Sequence, residues 1–164
     1  MKTISRTKGR FCEGSMSHCN LKLRANVSLN LYNCRGDLIV VLEKHNIITE
    51  LGLSSILDQL LDNPTVAVPG YMELGTGVPG VERLGEYVPG SRTVFSEKSL
   101  VGTTLAMRCV FPAGVGTGLI TEAGIFNSDV ENSGDMYLST SFAEIPKGET
   151  DVLKVLWTIT ASNP

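Results

Sequence analysis

Asp151-Val152-Leu153-Lys154-Val155-Leu156-Trp157-Thr158-Ile159-Thr160 alternates along its whole length, with Leu153, Val155, Trp157 and Ile159 on one face and Val152, Lys154, Leu156 and Thr158 on the other. A period of two is the mark of a strand whose one face meets a core. The pattern returns at the start of the chain, where Ala25, Val27, Leu29 and Leu31 alternate with Asn26, Ser28, Asn30 and Tyr32. Asn33-Cys34-Arg35-Gly36-Asp37 then supplies turn residues, and Leu38–Leu42 reads as the returning strand of a hairpin. Further on, Leu105, Met107, Cys109 and Phe111 share a face. Leu119-Ile120 and Ile125-Phe126 flank Thr121-Glu122-Ala123-Gly124, and Met136, Leu138 and Thr140 alternate with Tyr137, Ser139 and Ser141. Pro112 to Gly118, Asn127 to Gly134 and Pro146-Lys147-Gly148 are turn or loop signals between them. The expectation is a mainly β protein: an antiparallel β-sandwich or barrel of about seven to nine strands, with one α-helix and an extended N-terminal arm.

The helix is placed by Thr49, whose hydroxyl can cap it, and by Leu51, Leu53, Ile56, Leu57, Leu60 and Leu61 at helical spacing from Glu50 to about Asp62. Its polar side is thin, so most of its circumference is expected to pack on a sheet or on a partner. Asn63-Pro64 ends it. Beyond it Val68-Pro69-Gly70, Val78-Pro79-Gly80 and Val88-Pro89-Gly90 recur. Pro-Gly favours a type II turn, so short strands and an extended loop are expected here rather than a central strand. The residues between the triplets do not repeat, which argues against an elastin-like array.

The 164 residues suit one domain, and no apolar run approaches the roughly 20 residues that a membrane helix needs. The first residues are basic without an apolar stretch of signal-peptide length behind them, so folding in the cytosol is expected. The net charge of −3 is unevenly spread. Residues 1–24 hold Lys2, Arg6, Lys8, Arg10, Lys22 and Arg24 against Glu13 alone, or +5, which leaves −8 for the rest. The chain therefore divides into a basic arm, residues 1–24, and a single β-rich domain, residues 25–164. The arm is the candidate partner-binding element, with an attraction for acidic surfaces that salt weakens. Specific nucleic-acid binding is not expected, because the motifs and the aromatic interleaving that go with it are missing.

Chemistry is sparse. The two histidines, His18 and His45, sit in no catalytic or metal-binding spacing. Cys12, His18 and Cys19 do not match the short paired spacings of zinc sites. Gly75-Thr76-Gly77 and Gly116-Thr117-Gly118 lack the Gly-Lys-Ser/Thr ending of a phosphate loop and read as tight turns. Glu122 is a lone carboxylate with no visible partner acid, nucleophile or metal. Arg35-Gly36-Asp37 spells an adhesion tripeptide, but turn chemistry explains it. Cys109 reads as an inert core residue, whereas Cys12, Cys19 and Cys34 are disulfide-capable, free thiols being the simpler state. A sugar-binding reading would need surface aromatics such as Tyr71, Tyr87 or Tyr137, since Trp157 falls on a core face. No enzyme activity, catalytic residue, cofactor or metal is expected.

Five segments together carry a resemblance: Val27 to Tyr32; His45-Asn46-Ile47-Ile48-Thr49 with Leu51-Gly52-Leu53; Leu74-Gly75-Thr76-Gly77; Thr121 to Asn127; and Val155-Leu156-Trp157-Thr158-Ile159. In this order the chain resembles small virion structural proteins of tailed bacteriophages over residues 25–160, the arm falling outside. The resemblance implies a structural role in the virion, assembled in the host cytoplasm. One expectation is a capsid decoration, or cement, protein that binds the major capsid protein as a homo-oligomer. The other is a tail, neck or fibre-base protein held by other virion components.

Overall fold

A computed structural model describes residues 21–162. Ten strands and one helix follow in the order β1 Lys22–Tyr32, β2 Leu38–His45, β3 Ile47–Ile48, α1 Glu50–Asp58, β4 Tyr71–Gly75, β5 Thr93–Val94, β6 Glu97–Val101, β7 Thr104–Phe111, β8 Gly118–Phe126, β9 Met136–Lys147 and β10 Val152–Ser162. They form two antiparallel five-stranded sheets, β2-β1-β10-β7-β6 and β3-β9-β8-β4-β5. The inner faces close on one core that holds Leu29, Met107, Val155 and Trp157 from the first sheet and Met72, Ile125, Leu138 and Ile145 from the second. The β-sandwich expectation holds, with two of the ten strands only two residues long.

The alternation at both ends of the chain pairs with itself. β1 runs antiparallel to β10 with Val27 opposite Trp157 and Leu29 opposite Val155. The N-terminal strand begins three residues before the expected boundary at Ala25, so Lys22 and Arg24 belong to β1, opposite Ser162 and Thr160. The β1–β2 turn is built on Asn33, whose Oδ1 accepts from the backbone N–H of Arg35 (2.9 Å) and of Asp37 (3.0 Å), while Gly36 takes φ +84°. An Asx turn of this kind accounts for Arg35-Gly36-Asp37.

Two expectations needed revision. Of the three Pro-Gly steps only Pro89-Gly90 makes a type II turn: Gly90 has φ +75° and Ser91 N–H donates to the Val88 carbonyl at 3.1 Å. Gly70 instead leads into β4, its N–H donating to the Phe126 carbonyl at 2.9 Å. Pro146 and Lys147, read as a turn, are the last residues of β9. Proline is tolerated there because β3 pairs only with Leu138 and Ser139, so β9 is an open edge at Pro146 and loses no ladder bond on that side.

Between β2 and α1 the chain changes sheets at a single residue. His45 closes β2 in the first sheet, Asn46 N–H donates to the Ala25 carbonyl at 3.1 Å, and Ile47 opens β3 in the second. This corner sets α1 against β9 at one end of the sandwich, beside the start of β1 and the end of β10.

Candidate docking surface

Thr49 anchors α1. Its Oγ1 accepts from Gly52 N–H at 2.9 Å, the expected cap, and also reaches the carbonyls of Met136 (2.7 Å) and Tyr137 (3.0 Å) on β9. Thr49 N–H donates to the same Tyr137 carbonyl at 3.0 Å. The cap thus fixes the helix both along its axis and against the sheet. Gly52, one turn on, has no Cβ, and a Cβ there would collide with the Tyr137 carbonyl oxygen. With Ser55 it forms the buried side of α1. With Gly52 and Ser55 turned inward the leucines of α1 face outward: Leu51, Leu53 and Leu57 are exposed, Leu57 at 65%, and Leu60 just beyond the helix is 79% exposed. The expected packing of most of the helix circumference is therefore reversed within the chain.

α1 is also shorter than the leucine spacing suggests. At Asp58 the carboxylate accepts from Thr65 N–H, Val66 N–H and Thr65 Oγ1, each at 2.9 Å, which draws the following chain back over the helix end. These bonds, the Val66 N–H foremost, hold the Asp58 pKa below its ordinary value. Leu60 and Leu61 continue only as tight turns, their N–H groups donating to Leu57 and Asp58 carbonyls.

Between α1 and the first sheet the sandwich is not closed. A cleft of about 320 Å³ is lined by Leu23, Ile48, Ile56, Leu100, Leu105 and Ile159 among others, with few polar atoms. A shallower depression shares Leu23 and Ile48 with it and adds Leu21, Leu53, Arg24 and Asn46. Cleft, depression and outward leucines form one apolar end. Its helix side is acidic, since from Asn46 to Glu82 the sequence has no Lys or Arg while Glu50, Asp58 and Asp62 lie on or beside α1, and its β1 side carries Arg24.

Of the candidate arm residues, Lys22 and Arg24 are exposed on β1, with Arg24 on the rim of the depression. Lys2, Arg6, Lys8 and Arg10 lie outside the described residues, as do Cys12 and Cys19. Cys34 is an exposed thiol in the β1–β2 turn, and Cys109 is buried. Burial pushes the Cys109 thiol up to about 12, so it stays protonated and unreactive. The structure does not bring these two together.

Glu122, weighed as a lone acid, is fully buried and serves as a staple. Its Oε1 accepts from Gly77 and Glu86 N–H at 2.9 Å and its Oε2 from Gly85 N–H at 3.0 Å, so the loop after β4 wraps around the carboxylate. Gly75 and Gly77 are required by that close approach, since a Cβ at either would meet Glu122. Sequence reading missed a buried ion pair altogether. Arg92 grips Glu73 through Nε (3.2 Å) and Nη2 (2.9 Å), donates to the Ser128 and Ser133 carbonyls, and lies 3.9 Å over the Phe126 ring. Both partners are 2% exposed or less. Tyr137 is buried and donates to the Ala67 carbonyl at 2.8 Å, which removes it from the surface aromatics. Trp157 lies in the core as expected.

Among the described residues, no three His, Cys, Asp or Glu side chains come together to hold a metal ion, and no helix is long and apolar enough to cross a membrane. The chain matches no protein-family model, and no curated protein or solved structure is significantly similar to it.

Proposed function

We propose that this protein is a structural component of a phage virion, that it is held in a multi-subunit assembly through the α1 end of its sandwich, and that the assembly is the capsid shell, which it decorates and stabilises. The observation that carries the reading is the inverted α1. A helix that turns Gly52 and Ser55 inward and its leucines to solvent, beside an open apolar cleft, gains free energy when another surface covers it. The resemblance of residues 25–160 to small virion structural proteins supports a structural role in the virion without fixing its place; the shell is the first of the two placements it implies and the tail, neck or fibre base the second. The mechanism is mass action: a protein that binds assembled shell and not dissociated subunits raises the resistance of the shell to heat and internal pressure.

The test is immunogold labelling of purified particles with an antibody to this chain. Label distributed over the head is the expected outcome. Label confined to the tail or neck overturns the shell placement and favours the fibre-base role. Particles free of label overturn the virion role.

A further inference from the structure

We infer that the occupant of the apolar end is the N-terminal segment of a neighbouring copy, residues 1–20, laid along the cleft between α1 and the first sheet. This rests on the reading of the protein as an assembly component and names the partner of that site.

Chemistry and reach on both sides lead to this occupant. Residues 1–20 carry Lys2, Arg6, Lys8 and Arg10 against Glu13, with Ile4, Phe11 and Met16 as apolar residues between and after the cations. The site is lined by apolar side chains from Leu23, Ile48, Leu53 and Ile56; Glu50, Asp58 and Asp62 lie on or beside α1 outside that lining, and Arg24 and His45 line the depression on the β1 side. A second α1 packed there would bring these three acids together, whereas a basic segment running along the helix side, away from Arg24, meets them with opposite charge. Asn46 lines the same depression with its side-chain amide unpaired. An extended backbone offers the donor and acceptor that such an amide needs.

The segment begins where the site is. Leu21 lines the depression, so residues 1–20 leave each body at the rim of its own apolar end. Extended, they span at most roughly 70 Å, enough to reach the same end of an adjacent body. Exchange of an identical segment between copies is a low-cost route to oligomers, because every copy supplies both the segment and the site. A segment folded onto its own body would use up the site and leave the subunit without an attachment.

Sedimentation of the full chain over a range of concentrations tests this and needs no virions. The expected result is a concentration-dependent oligomer whose dissociation constant rises about tenfold or more in high salt, as an ionic contact requires. A comparable rise is expected in Phe11→Ser/Met16→Ser and, independently, in the exposed-site variant Leu53→Asp. Val130→Ser, at an exposed residue that lines neither the cleft nor the depression, should leave association unchanged. A monomer at all concentrations overturns the inference, as does an oligomer indifferent to the N-terminal substitutions, which would mean that a different surface covers α1. Particle labelling is read independently, so the virion role can stand if segment exchange fails.

Discussion

Because the Gly52 backbone lies against the Tyr137 carbonyl, any side chain at this position pushes α1 away from β9. Gly52→Ala is expected to destabilise the fold by roughly 1 to 3 kcal/mol through overpacking, even though alanine is the better helix former. Thermal unfolding of the variant measures it, with Gly36→Ala as the contrasting case in open space, where only the positive φ is opposed. Unchanged stability in Gly52→Ala would mean that α1 does not sit where it is described. The same residue explains what the sequence withheld. Leucines at helical spacing say that a helix has an apolar face, but they do not say that the face points inward. The signal that decides orientation is the pair Gly52 and Ser55, three residues apart and small enough for backbone contact.

Among the elements, strands with strict alternation were legible from the chain alone, because a period of two has only one structural reading when one face is buried. β1 and β10 are the clearest. Less legible were β6, whose exposed Leu100 and Val101 break the pattern, and the end of β9, where proline marks an open edge rather than a turn. The end of α1 was overrun because Leu60 and Leu61 continue the spacing after the hydrogen bonding has changed. Asp58 is what changes it, and its lowered pKa gives a test. A carboxylate whose folded pKa lies below its unfolded value of about 3.8 stabilises the native state above that value and loses the contribution as pH falls through the folded pKa. The protection of the Thr65 and Val66 amides, their exchange relative to the intrinsic rate at each pH, should therefore persist down to the ordinary aspartate range and fall only below it, whereas Asp58→Asn should lower it already at neutral pH. Equal exchange in both proteins at neutral pH would remove the role assigned to the carboxylate.

For the whole molecule, the sandwich depends on buried charge at a point that composition could not reveal. Arg92 and Glu73 are distant in their neighbourhoods of sequence, one after the Pro89-Gly90 turn and one in β4, and only the folded chain brings them together. Arg92→Met leaves Glu73 without its cation in a dry site, and the expected loss is roughly 3 to 5 kcal/mol. Arg92→Lys should recover only part of it, since an ammonium cannot reproduce the two-pronged contact or stack on Phe126. Chemical denaturation of the two variants, compared with Arg92→Met/Glu73→Leu, separates the unpaired charge from lost packing. The double variant should be the more stable of the two methionine forms.

Lys22 and Ser162 face each other across the β1–β10 ladder, while the Asn33–Asp37 turn lies at the far end of the long β1 strand. Under the proposed assembly role, cargo placed next to Lys22 or Ser162 would crowd the docking face. A foreign epitope spliced into the distal loop would instead project from the opposite pole, which makes that loop the natural insertion point for display.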